Sequence, residues 1–274
     1  MPDLIVIPAR YGSTRLPGKP LLEIAGRLLI ERVAALAIAA ARELGDIDVV
    51  VATDDARIRD AVTARGLEAV MTDSAISSGS GRALAAAQTT GRQPELIVNL
   101  QGDAPFTSPA HIVEIVRSAR ASDAAVTTPV VQLDWDRLDA LRAHKQQTPA
   151  SGTTCIRAAD GRAIWFSKQI LPFVRGETDL RAREPLSPVL QHIGLYCYRR
   201  AALVEFEAAP PSGYEVLEGL EQLRLIALGL DIQTVIVPPA SITMSGVDSP
   251  ADLTRAEQLI ATHGDPFVDW RAPA

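Results

Sequence analysis

The sequence predicts an α/β protein on a mainly parallel, Rossmann-like sheet, and three observations carry that expectation. Short continuous apolar runs recur along the first half of the chain, as in strands buried on both faces. Segments with helical spacing separate them, in the rhythm of βαβ units. Two of the runs end in polar, glycine-bearing turns, IPARYGSTRLPGKP after the first and QGD after the fourth. Sheets of this kind bind ligands beyond such strand ends.

Residues 4–7 are the first run. Residues 28–44 are Ala-rich and amphipathic with Gly45 just beyond, the pattern of a helix and its stop. Residues 48–53 give a second buried strand, and Asp54-Asp55 then stands where a helix N-terminus favours a carboxylate. Residues 68–71 are a third strand, 82–90 a helix, 96–100 a fourth strand and 110–120 a helix. From about residue 124 the rhythm changes. Residues 125–130 are a strand, and the polar stretch 134–149 is expected as a loop or partial helix. Residues 153–157, 163–167 and 193–198 are expected strands, with a hairpin turn at Asp160-Gly161. Residues 172–188, rich in Pro, Arg and Glu, are expected to cross the surface or to pack on another subunit. Residues 215–229 are expected as one helix closed by Gly229, and 232–237 as a strand. Ser249-Pro250 fits a helix start, Ser as cap and Pro at the first position, with the helix running to about 262. No repeat or low-complexity linker divides the chain. One domain, 1–274, with a lobe inserted at about 150–200, is the expectation.

The length of 274 residues allows a sizeable core. With 27 basic and 33 acidic residues the formal charge is −6, which argues against a nucleic-acid partner. The Ala-rich segment around 34–41 is closed by Arg42 and Glu43, too soon for a membrane span, and Arg10 interrupts any signal-peptide core. Cys155 and Cys197 lack metal-ligand spacing and fit small buried hydrophobes in a reducing compartment. A cytoplasmic protein without membrane or nucleic-acid partners is therefore expected.

Residues 4–22 hold Arg10, Arg15 and Lys19 and no acid. Cations for phosphate, with Gly12 and Gly18 permitting close backbone approach, suit a nucleoside triphosphate. Lys19 is followed by Pro20, so this is not a P-loop. A solvated basic connection between strand and helix is the plainer alternative. Asp103, in the QGD turn, is placed to hold Mg²⁺ against such phosphates, or simply to cap a turn. Asp248 offers the same two alternatives. Three such elements together favour the ligand reading.

At this point the chain resembles a family. IPARYGSTRLPGKPLLEIAG, VATDD, VNLQGDAPF, HIGLYCYRRAAL, LEGLEQLRLIALG and GVDSPADL are similar to the successive motifs of the 3-deoxy-manno-octulosonate (Kdo) cytidylyltransferases, the CMP-Kdo synthetases. The resemblance spans residues 4 to about 255. It implies a fold of the nucleotide-diphosphosugar-transferase type, CTP and an acidic sugar as substrates, Mg²⁺ as cofactor, and a homodimer joined through the inserted lobe. It further implies that Arg10, Ser13, Arg15 and Lys19 hold the CTP phosphates, with Pro8 and Ala9 beside the nucleotide. Thr72, Ser78 and Gly79 would serve the nucleotide as well, and Asp103 and Asp248 the metal. Gln101, His192, Tyr196, Glu221 and Gln222 would face the acceptor sugar. Lys19, Arg10, Arg15 and Asp103 are the residues assigned to catalysis: CMP transfer from CTP to the anomeric hydroxyl of a 3-deoxy-2-ulosonic acid, Kdo foremost, releasing pyrophosphate and giving a CMP-activated sugar for lipopolysaccharide or surface-glycan synthesis.

Taken without the resemblance, His192 and Tyr196 equally fit satisfied core polars, Glu221 and Gln222 an exposed helix face, and His111, His144 and His263 exposed positions. The chain also departs from the family. Where the pattern is TSxxHxSGTDR, residues 72–82 carry Ile76 for the His and Ser80-Gly81 for the Thr-Asp pair, and QGDEP has become QGDAP, with Ala104 for the acid. Alternatives therefore stay open: a different acceptor (8-amino-Kdo, another acidic sugar, a phosphonate), or a nucleotide-binding paralogue without catalysis.

Overall fold

The computed structural model describes residues 1–12, 16–244 and 246–270. Strand β1 (Asp3–Ala9) is buried along nearly its whole length, because its apolar run lies mid-sheet with helices on both faces. A 3-10 turn (Lys19–Leu21), a small hairpin of β2 (Glu23–Ile24) and β3 (Arg27–Leu28), and helix α1 (Leu29–Leu44) follow. Gly45 closes α1 at φ +60, donating its N–H to Ala41 O. Next come β4 (Ile47–Thr53), α2 (Ala56–Thr63), β5 (Ala69–Met71), α3 (Gly79–Thr89), β6 (Leu96–Asn99) and α4 (Pro109–Arg120). Asp55 caps α2 by accepting from Arg57 N. Helix α3 begins three residues before the expected position, since Ser78 caps it by accepting from Gly81 N.

The second half holds β7 (Val126–Asp134), α5 (Trp135–Gln147), β8 (Thr154–Arg157), β9 (Ala163–Ser167), α6 (Glu177–Arg183), β10 (Leu186–His192), β11 (Tyr196–Arg199), α7 (Arg200–Ala208), α8 (Gly213–Glu218), α9 (Gln222–Ala227), β12 (Ile232–Ile236) and α10 (Pro250–His263). Apart from the β2–β3 hairpin, the strands form one ten-stranded sheet ordered β5-β4-β1-β6-β11-β7-β10-β8-β9, with β12 on β7. β5, β4, β1 and β6 are parallel to one another, as is β12 to β7. β11, β10, β8 and β9 pair antiparallel. Two apolar clusters cover the two faces of β1: Ile5 and Ile7 pack with α1, Leu4 and Val6 with α3. The paired faces explain why this strand reads as unbroken hydrophobic sequence.

Several expectations are corrected. The stretch 134–149 is a helix, not a loop: Asp134 caps it, and Trp135, Leu138 and Leu141 bury one stripe while the rest stays polar. Residues 215–229 are two short helices, broken where Gly219 turns left-handed at φ +61. The expected strand 193–198 is interrupted, because Leu195 N donates to Ile193 O and Thr128 Oγ1 to Leu195 O, pulling residues 193–195 into a tight turn. Residues 172–188 contain α6 and the start of β10 rather than only surface crossing. His111 is buried, not exposed, with Nε2 donating to Pro238 O at 2.8 Å.

Candidate active site

The carboxyl ends of β1 and β6 lie side by side, so the two glycine-bearing turns meet. A Cβ at Gly102 would lie 2.2 Å from Pro8 O, closer than any side chain can approach, so the QGD turn reaches β1 only as glycine. Gly18, left-handed at φ +68, precedes the turn that carries Lys19. These loops, the start of α3 and the segment before α10 enclose a cleft of about 350 Å³. Pro8, Ala9, Arg10, Lys19, Ser78, Gly79, Gln101, Asp103 and Asp248 all line it.

Two carboxylates converge on one cation there. Lys19 Nζ donates to Asp103 Oδ2 at 2.7 Å and to Asp248 Oδ1 at 3.1 Å. Backbone bonds fix both acids. Val247 N donates to Asp103 O at 2.9 Å, tying the segment before α10 to the QGD turn. Asp252, in the capping box that starts α10, accepts from Asp248 N. Two acids, a lysine and an arginine at a strand-end cleft suit a polyphosphate with its counter-cation.

On the opposite wall, α3 presents Ser78 and Gly79. Beneath them Arg82 is fully buried. Its guanidinium donates to Thr72 Oγ1, to Asp54 Oδ2 at 3.1 Å and to Ile76 O at 2.9 Å. Burial lowers its pKa from the ordinary value, opposed by the charge of Asp54. Asp54 Oδ1 also accepts from Tyr11 N at 3.4 Å, so the floor of the cleft and the first loop share one carboxylate.

A second group of polar residues lies beyond α3. His192 and Tyr196 sit on β10 and β11 with ring centroids 5.5 Å apart, and Tyr196 pairs in register with Asn99 of β6. His192 Nε2 is 2.8 Å from Thr128 Oγ1, whose own proton goes to Leu195 O, so the imidazole is the donor. Burial pulls the His192 pKa down to about 3, which keeps the ring neutral. Glu221, just before α9, accepts from Ser80 Oγ at 3.1 Å. Burial pushes its carboxyl above the usual range, with Ser80 opposing and Glu207 adding to the rise. Gln222 is buried beside it.

A family model described as cytidylyltransferase matches residues 4–232. The chain is 42% identical over 266 residues to the 3-deoxy-manno-octulosonate cytidylyltransferase of Maricaulis maris (strain MCS10), covering 97% of this chain and 99% of that one. It is 40% identical to the enzyme of the same name from Chelativorans sp. (strain BNC1), over 95% of this chain and 98% of that one. This chain belongs to the 3-deoxy-manno-octulosonate cytidylyltransferase family. A solved structure of CMP:2-keto-3-deoxy-manno-octonic acid synthetase complexed with CTP superposes with a TM-score of 0.79 at 32% identity, covering 96% of this chain and 99% of that one. The α/β fold with its large central sheet is thus that of a nucleotidyltransferase.

Within this cytidylyltransferase the structure divides the sequence-derived site residues into two neighbouring groups. Those assigned to nucleotide and metal line the cleft, except Thr72, which lies under it as a partner of Arg82. Ser13 and Arg15 lie outside the described residues. His192, Tyr196, Glu221 and Gln222 form the second group, joined to the first by Ser80 and by the Asn99–Tyr196 pairing. The exposed reading holds for Glu221, although its carboxylate turns in to hold Ser80, and fails for Gln222, which is buried. Sequence reasoning missed Arg82, although an arginine ending a serine- and glycine-rich stretch signals it. It also missed Asn99, the one polar residue of β6, buried with Oδ1 unpartnered among the described residues. The substituted positions face the same region: Ile76 gives its carbonyl to Arg82, and Ala104 follows Asp103.

Proposed function

We propose that this enzyme transfers CMP from CTP to the anomeric hydroxyl of a 3-deoxy-2-ulosonic acid, with Kdo the leading acceptor, and releases pyrophosphate. The observation that carries the reading is the convergence of Arg10, Lys19, Asp103 and Asp248 on one cleft at the strand ends. The hydroxyl oxygen bonds to the α-phosphorus as the bond to the β-phosphate bridging oxygen breaks, and the hydroxyl proton is lost. Such a transfer asks the protein chiefly for alignment and charge neutralisation. In this reading Arg10, Ser13, Arg15 and Lys19 bind the triphosphate, and Pro8, Ala9, Ser78 and Gly79 border the nucleotide. Thr72 acts through Arg82. Gln101, His192, Tyr196, Glu221 and Gln222 hold the acceptor.

The residues present fit a divalent cation. Asp103 and Asp248 already meet one positive charge at 2.7 and 3.1 Å, and Mg²⁺ is typically held by one or two carboxylates with phosphates and water. When bound, Mg²⁺ would supply charge neutralisation for the phosphates and lower the pKa of a coordinated hydroxyl. Asp103 and Asp248 would hold it, leaving Lys19 for the phosphates. The wider setting belongs to the same proposal: one domain, 1–274, with a lobe at about 150–200 that joins two copies, acting in the cytoplasm for lipopolysaccharide or surface-glycan synthesis. The exposed Ile164, Phe173 and Leu186 of that region support the dimer, which sedimentation would test. No described helix is long and apolar enough to cross a membrane.

The substitutions at Ile76, Gly81 and Ala104 favour a second reading, in which the acceptor is another acid such as 8-amino-Kdo. Pyrophosphate release from CTP and Mg²⁺ with Kdo, 8-amino-Kdo and N-acetylneuraminate decides. Turnover with Kdo is expected. Activity confined to another acid would move the acceptor, and silence with all three would overturn the acceptor class.

A further inference from the structure

Two helices of this protein start with complete capping boxes. In α8 the Ser212 hydroxyl accepts from Glu215 N and Glu215 reaches back to Ser212 N; in α10 Ser249 and Asp252 do the same. The third position after the capping serine carries the acid in both. Helix α3 has the serine, Ser78, accepting from Gly81 N at 2.9 Å, but its third position is Gly81 and offers no side chain. A carboxylate reaches it from elsewhere. Glu207, in the last turn of α7, takes the hydrogen bond of Ser78 Oγ on Oε2 at 3.4 Å. That oxygen lies 2.7 Å from where a Cβ at residue 81 would stand. Glycine at 81 thus leaves the room that Glu207 fills. Its other oxygen, Oε1, is buried with no hydrogen-bond partner among the described residues.

We infer that Glu207 is a positioning residue for the nucleotide site, holding from α7 the hydroxyl of the serine that caps α3 and so fixing Ser78 at the wall of the cleft. A buried carboxylate with one unpartnered oxygen is unfavourable for stability alone. Its placement makes sense as a strut for a turn whose serine lines the site.

The inference rests on the CTP reading, and the test separates the two. CTP is titrated calorimetrically, with Mg²⁺ present, onto the wild type, Glu207→Ala and Glu207→Gln, with Tm measured on each. Losing a cap of ordinary strength corresponds to about a fivefold rise in CTP Kd for Glu207→Ala. Glu207→Gln, which keeps an acceptor for Ser78, falls between it and the wild type. An unchanged Kd in Glu207→Ala, or a fall in Tm without a change in Kd, overturns the inference and leaves the CTP reading standing. A wild type that binds no CTP overturns both. If Glu207→Ala does not fold, the comparison of Glu207→Gln with the wild type decides by the same criterion.

Discussion

Lys19 and Asp103, 84 positions apart in sequence, meet at 2.7 Å, and the same ammonium reaches Asp248 at 3.1 Å. One side chain therefore bridges the two carboxylates assigned to the metal. A divalent cation between those oxygens and the Lys19 ammonium compete for the same charge. Lys19→Met should accordingly raise the affinity for Mg²⁺ in the absence of nucleotide by about tenfold, since the Lys19 ammonium no longer competes for Asp103 and Asp248. It should weaken CTP binding in the opposite sense by a similar factor. Isothermal titration of Mg²⁺ onto nucleotide-free protein measures the first effect. An equal or lower Mg²⁺ affinity in the variant would sink the exchange.

Gly102 makes a prediction of a different kind, because its neighbour cannot yield. The Cβ of Gly102→Ala would stand 2.2 Å from Pro8 O, a backbone atom of a central strand. Relief requires moving the QGD turn away from β1, and Asp103 with it. A loss of about 1–3 kcal/mol in urea unfolding is expected, together with a fall in kcat larger than the change in KM for CTP. Gly194→Ala is the control: nothing stands within 4 Å of its Cβ, and it should stay within about 0.5 kcal/mol of wild type. Equal stability for the two variants would show that the contact does not constrain the turn.

The contrast between the halves of the molecule explains what was legible in the sequence. The inner parallel strands β4, β1 and β6 are buried over most of their length, so their apolar runs stood out without periodicity, and the loops at their ends were placed correctly. The cleft followed from them. The acceptor side was harder. The apparent strand at 193–198 is split by a turn held by Thr128, a residue 67 positions from the Leu195 carbonyl it binds, and no local pattern announces that. Gly229 looked like the stop of one helix, whereas Gly219 breaks it earlier by adopting a left-handed conformation. The polar stretch 134–149 hid its helix because only Trp135, Leu138 and Leu141 face inward. Glu207 had no sequence signal at all, since its role exists only where α7 passes the first turn of α3.

His192 ties the acceptor side to pH. Its ring is buried and neutral, with a pKa pulled down from 6.5 to about 3. The unfolded chain takes up a proton near 6.5 that the folded protein refuses until far lower pH. Stability from this site is thus fully present above about pH 6.5 and is lost as pH falls toward 3, by at most about 1.4 kcal/mol per pH unit. His111, also lowered by burial, acts in the same direction, whereas Glu221, whose carboxyl is raised, acts oppositely. Comparing variants isolates the histidine. His192→Gln keeps a donor for Thr128 and should flatten the stability profile between pH 5 and 6.5, measured by urea unfolding at each pH. A slope as steep as wild type would assign the acid sensitivity elsewhere.

Arg82 carries the last expectation, and here the geometry of the donor matters as much as its charge. The guanidinium spreads three contacts over three segments: Thr72 after β5, Asp54 after β4, and the Ile76 carbonyl in the loop before α3. A lysine has one nitrogen and cannot span them. Arg82→Met leaves Asp54 as a carboxylate without its cation, and breaking a buried pair of this sort costs about 3–5 kcal/mol; since Asp54 is only mostly buried, the lower end is expected. Arg82→Lys should recover less than half of that stability, because the Thr72 and Ile76 contacts stay lost. Both variants should also raise the KM for CTP, since the loop bearing Ser77 and Ser78 loses its anchor to the cleft floor. Urea unfolding alongside steady-state kinetics reads both effects. If Arg82→Lys matched wild type in both, Arg82 would contribute only its charge, and the reading of Thr72 as its partner in shaping the nucleotide site would fall.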